Sequence, residues 1–93
     1  MYEVSDELCR EMSARLMEAI GDRDFFAGAV TVMDGDTELR LVCSVVVHHG
    51  EVEAGMTFRP IKRLLPIWWE CRTTVHGEEV MNDFSFWDMV KFI

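Results

Sequence analysis

Cationic residues are scarce in this chain: nine Lys and Arg stand against seventeen Asp and Glu, a formal net charge of -8. That balance disfavours nonspecific attraction to phosphate backbones, and the nearest basic cluster, Arg59, Lys62 and Arg63 with Arg72, has acids on most sides. No nucleic-acid partner is expected. Long hydrophobic runs are missing as well. No segment offers the roughly 18 consecutive apolar residues that a spanning helix requires, and the opening MYEVSDELC has no basic leader followed by an apolar run. The expectation is therefore no membrane partner and a cytoplasmic location. Three cysteines, Cys9, Cys43 and Cys71, leave an odd thiol in any intramolecular pairing, unlike the dense framework of small secreted domains. They read as buried free thiols that pack as small apolar groups.

Several chemical signatures are also missing. The glycines Gly21, Gly28, Gly35, Gly50, Gly55 and Gly77 make neither GxGxxG nor a P-loop, and there is no HExxH. DGD at Asp34 to Asp36 is far shorter than the twelve-residue calcium loop of an EF-hand, and a tight acidic turn explains it. No linker or low-complexity segment divides the chain.

What is present favours folding. The hydrophobic fraction is 49% against 28% charged, with three tryptophans and six phenylalanines. Ninety-three residues suffice for one domain, residues 1–93, with a modest core. Aromatic surface beyond what that core can cover is available to a partner or ligand. The segment SDELCREMSARLMEAIG has a helix pattern, with Leu8, Met12, Leu16 and Ala19 or Ile20 on one stripe and Cys9 and Met17 widening it. Ser5 caps its start and Gly21 ends it.

Residues Phe25 to Met33 and Leu39 to Val47, joined by the DGD turn, predict a β-hairpin. Val52, Ala54, Met56 and Phe58 alternate with more polar residues, predicting a third strand that Pro60 ends. Pro60 to Pro66 is expected to be a loop or crossover. A further strand follows from Ile67 to Val75, then a turn at His76 to Glu78 and a short return near Glu79 to Met81. At the end, Ser85 and Asp88 form a miniature capping box with Phe84 stapled against Met89, opening a short helix from Phe86 to about Phe92. Its inward stripe is Phe86, Met89, Val90 and Ile93, with Trp87 beside it. The expected fold class is α+β: two layers, an N-terminal and a short C-terminal helix with a mostly antiparallel four- or five-stranded sheet, in the order α-β-β-β-β-(β)-α.

Candidate chemistry is thin. CSVVVHHGE and CRTTVHGEE echo one another, so that Cys43, His48, Cys71 and His76 superficially resemble a zinc set. In strands, however, an offset of five residues puts each cysteine and its histidine on opposite faces about 16 Å apart. No metal and no cofactor are expected. A histidine beside an acid, His48 or His49 near Glu51 or His76 near Glu78 and Glu79, has no constrained nucleophile to serve. Glu70 with Glu79 or Asp83 weakly echoes a glycosidase pair, which needs a defined carboxyl separation.

The stretch LLPIWWECR, Leu64 to Arg72, carries the strongest signal. Adjacent strand residues point to opposite faces, so Trp68 and Trp69 part company. Trp69 shares parity with Ile67, Cys71, Thr73 and Val75, the better core set. Trp68 shares parity with Glu70, Arg72, Thr74 and His76, a polar face on which a bare tryptophan is costly. Trp68, Glu70, Arg72 and His76 are therefore the candidate interface or ligand residues. The leading expectation is a protein-interaction or homo-oligomerisation domain without catalysis, with a homodimer or another protein as partner. The alternative is a small-ligand-binding or enzymatic domain whose pocket these four residues line.

Overall fold

A computed structural model of the chain describes residues 1–51, 55 and 60–93. Helix α1 (Asp6–Ile20) begins where the sequence places it, with Ser5 Oγ accepting from Leu8 N at 3.2 Å and Asp6 and Glu7 in the first turn. Leu8, Cys9, Met12, Ser13, Leu16 and Ile20 are buried. Ala19 is exposed, so Ile20 closes the stripe. At Gly21 a positive φ of 61° turns the chain out of the helix, and its N–H still reaches Met17 O at 3.0 Å.

Strands β1 (Phe25–Asp34), β2 (Thr37–His49), β3 (Ile61–Val75) and β4 (Glu78–Val80) form an antiparallel four-stranded sheet in the order β1-β2-β3-β4. The β1–β2 turn uses Gly35, with φ 60°, and Asp36. The β3–β4 turn places His76 and Gly77 both at positive φ, 50° and 83°, which matches the right-handed twist of the flanking strands. With the two helices, the order agrees with the α+β class. Of the third strand expected over residues 52–58, Gly55 is described and sits in a turn at φ 89°, where an uninterrupted strand does not run; the other residues of that stretch lie outside the described residues.

The core occupies one face. Leu39, Leu41, Cys43, Val45 and Val47 alternate along β2, each no more than 3% exposed, and face α1 together with Phe26, Val30 and Val32 of β1 and Leu64 of β3. Gly28 belongs to the same row because the Phe26 ring lies across it. A Cβ added there would stand 2.9 Å from that ring.

The loop or crossover expected from Pro60 to Pro66 is instead the first half of β3. Pro66 is tolerated because it lies where the second edge of β3 has no strand neighbour among the described residues, next to a bulge between the Val45–Pro66 and Ser44–Trp68 pairs. Ile67 is the extra residue of that bulge and is 66% exposed. It thus leaves the core set in which the alternation placed it. Trp69, Cys71 and Thr73 remain on the helix face, paired with Cys43, Leu41 and Leu39.

The C-terminal segment closes the far end of the core. Helix α2 (Phe86–Met89) is shorter than expected and passes into a 3₁₀ turn at Val90–Phe92. Phe86 and Met89 are fully buried, and Val90 and Ile93 pack against the same cluster. The expected capping box is not formed: Ser85 makes no side-chain cap, its carbonyl accepts from Met89 N at 3.2 Å, and Asp88 pairs instead with Lys91 at 3.2 Å. Phe84 is buried and meets Trp69 edge-on, with ring centroids 5.7 Å apart. Val4 N donates to Asp83 Oδ1 at 2.7 Å, and Tyr2 OH to Asp34 Oδ2 at 2.6 Å, so the N-terminal segment links the last residue of the edge strand β1 to the chain that follows the edge strand β4.

Two substitutions test this core. Phe86→Ala should lower the free energy of unfolding by about 3–5 kcal/mol in urea titrations. Thr73 is fully buried, and among the described residues its hydroxyl has no hydrogen-bond partner. Thr73→Val should therefore be neutral or raise stability by about 1 kcal/mol in the same titrations, despite removing a polar group.

Candidate functional site

With both helices on one side, the opposite sheet face has no cover among the described residues. Cross-strand pairs define its rows, because directly opposed residues point the same way. One row is Phe25, Val46 and Leu65; the next is Ala27, Ser44 and Trp68; then Ala29, Val42 and Glu70; then Thr31, Arg40 and Arg72. The face therefore has an apolar end and a charged end. Phe25 and Trp68 are each 51% exposed at the apolar end, and Ile67 emerges beside Trp68.

The four residues singled out by strand parity are placed as follows. Trp68, Glu70 and Arg72 do share this face, and Arg72 Nε stands 3.4 Å from Glu70 Oε1 and 3.9 Å from Glu79 Oε1. His76 leaves the set: it occupies the β3–β4 turn, roughly 26 Å along the strand from Trp68. Its Nδ1 lies 3.9 Å from Asp36 Oδ2, both side chains well exposed. An open groove of about 570 Å³ takes in Glu70 and Arg72, but with Trp69, Asn82 and Phe84 rather than Trp68 or His76. Among the described residues, this groove does not bring the four together.

No family model, curated protein or solved structure matches the chain. The chemistry must therefore be read from the side chains themselves.

The zinc-like set is dispersed. Cys43 and Cys71 lie on the helix face, His48 on the open face, and His76 in the turn at the opposite end. Among the described residues, no three His, Cys, Asp or Glu side chains gather around a metal-sized site. His49 has a structural post instead. Its side chain is 2% exposed and its Nε2 is 2.7 Å from Arg23 O, which fastens the segment leading into β1. The acid pairs fare no better as a catalytic device: Arg72 stands between Glu70 and Glu79, and Asp83 holds Val4 N.

Two surface features escaped the alternation pattern. Ile67 is outward because Pro66 and the neighbouring bulge interrupt the period of two; a proline inside an apolar run is the signal that could have revealed it. Phe25 shares parity with Ala27, Ala29 and Thr31, a weakly apolar row that marks the outer face of β1.

The thiols are held protonated. Burial pushes Cys43 up from its ordinary 9.0 to about 11, and burial, aided by nearby Cys9, pushes Cys71 to about 12. Cys9 is raised first by burial and then by Asp6, Asp88 and Asp83. Thiols with raised folded-state values stabilise the fold fully below their unfolded value and lose that contribution as pH climbs toward the folded one. Stability should accordingly decline above about pH 9, each such thiol contributing up to about 1.4 kcal/mol per pH unit. Urea titrations from pH 7 to 10.5 should show this decline, and Cys43→Ala should make it shallower even though its starting stability is lower.

Proposed function

We propose that this chain is a protein-interaction and self-association domain without a catalytic role, and that its simplest working form is a homodimer. The observation that carries this reading is the apolar end of the open sheet face, where Phe25, Ile67 and Trp68 are each more than half exposed beside Leu65 and Val46. Leaving such a cluster in water is unfavourable by about 25 cal/mol per Å² of apolar surface, and interaction sites are where proteins retain it. Trp68 is the anchor. Glu70 and Arg72, already paired beside it, form the polar rim that keeps water from the anchor in a typical interface. An alternative cover for Trp68, the segment from Pro60 to Leu65 folding over it, is incompatible with that segment's place in β3 from Ile61 onward.

Light scattering coupled to size exclusion should give a mass above one chain across micromolar concentrations. Trp68→Ser should weaken association by about 2 kcal/mol or more, roughly thirtyfold, with little change in unfolding midpoint because the ring is half exposed. A strictly monomeric native chain over that range would overturn self-association.

A further inference from the structure

β3 has a second feature that the open face does not account for. It pairs with β2 along its length but with β4 only from Thr73 to Val75, and Asn82 Nδ2 donates to Cys71 O at 2.9 Å just before that pairing begins. From Ile61 to Glu70 its outer edge has no strand neighbour among the described residues. Such an edge presents unpaired backbone N–H and C=O groups and is a template for another strand.

We infer that the occupant of this edge is the same edge of a second copy, in an antiparallel pairing that sets Arg63 opposite Glu70, Leu64 opposite Trp69 and Leu65 opposite Trp68 of the second copy. This rests on the self-association proposed above and specifies its geometry. Two observations select the register.

The first is facing. Opposed residues in an antiparallel pair must point to the same side. Arg63, Leu65, Trp68 and Glu70 pair with His48, Val46, Ser44 and Val42 on the open face, whereas Leu64 and Trp69 pair with Val47 and Cys43 on the helix face. Every pair in the inferred register is thus matched. In a regular strand this register would fail, because a two-fold axis between neighbouring residues opposes side chains of opposite parity. The bulge at Ile67 supplies the missing parity change, so the axis falls at Pro66 and Ile67. The match ends where a second irregularity, between His48 and His49, shifts the strand at Lys62.

The second is charge. Arg63 is exposed, and among the described residues no carboxylate pairs with it, while Glu70 is 46% exposed on the same face. The two-fold brings each Arg63 to the other copy's Glu70, giving two equivalent ion pairs that flank the apolar centre. Leu65 then packs laterally against the second copy's Trp68, so that the pairing shields part of each apolar end while the two open faces run side by side around Ile67. Pro66, which has no N–H to donate, loses nothing at the bulged centre.

The experiment is a charge reversal read as a dimer dissociation constant by analytical ultracentrifugation. Arg63→Glu and Glu70→Arg should each weaken the dimer about tenfold or more, since each creates two like-charge pairs across the axis. The double variant R63E/E70R should return to within about threefold of the native value. As a second measurement, Ile67→Cys, an exposed position beside the axis, should form a disulfide-linked dimer on mild oxidation, because the Cα atoms would lie within the usual span of about 4.4–6.8 Å. Met33→Cys on the remote β1 edge should not. A native dimer indifferent to the single reversals, or not rescued by the double variant, or not cross-linked through position 67, overturns the edge register and leaves self-association through the open face standing. A monomeric native chain overturns both.

Discussion

The structure depends on the period-two alternation of β2. Leu39, Leu41, Cys43, Val45 and Val47 point one way with almost no exposure, and everything large and buried collects beneath them. One fifteen-residue helix and a short C-terminal segment are the only helical cover among the described residues, and both are drawn to that side. A sheet with so little helix has one dry face and one wet face. The consequence is directional: any large apolar residue of opposite parity is exported to a surface, and its exposure follows from the economy of the core rather than from a defect in packing.

That logic gives the bulge in β3 its importance. Without it, the residues Leu64 to Trp69 would alternate regularly and one row of them would be wholly internal. With it, Leu64 and Trp69 both reach the core while Leu65, Ile67 and Trp68 emerge together. A single inserted residue thereby doubles the use of a short apolar run, half to finish the core against Phe84 and Phe86 and half to make a surface. Pro66 reinforces the arrangement, since it restricts the preceding residue to extended geometry while donating nothing to a ladder.

How much of this was legible from residues alone follows from which features are periodic. The helix from Asp6 to Ile20, its Ser5 cap and the hairpin through Gly35 are local signals, and all three are present. The separation of Trp68 from Trp69 needed only strand parity and is also present. His76 was lost because parity ends with the strand: Val75 is its last residue, and a positive-φ turn re-aims the next side chain. The extension of β3 back to Ile61 was illegible because proline punctuation argues for a break, and only pairing to β2 overrides it. The Ser85 side chain makes no cap even though the first amides of a helix lack intrahelical partners; Ser85 joins the turn through its carbonyl, which accepts from Asp88 N at 3.1 Å and Met89 N at 3.2 Å, and spacing alone could not show which oxygen would serve. The same limit applies to the site: a surface is made by neighbours in three strands, and spacing within one strand cannot show that Phe25 and Leu65 would stand beside Val46.

An acidic chain that associates must do so where repulsion is least. With a net charge of -8, two copies repel one another over most of their surfaces at separations within a Debye length of about 8 Å at physiological salt. The stretch from Ile61 to Trp69 is an exception, for it holds Lys62 and Arg63 and no acid, with Glu70 just beyond. Basic residues, a proline and a bulge are also the usual means of keeping a bare strand edge from pairing indiscriminately. The same features can therefore act in both senses. They discourage flat, register-free stacking against arbitrary strands, where Arg63 would find no acid and the parity change at Ile67 would set side chains against the wrong face. A strand carrying the complementary charge and the same parity change meets neither obstacle, and among strands of known sequence here that description fits β3 itself.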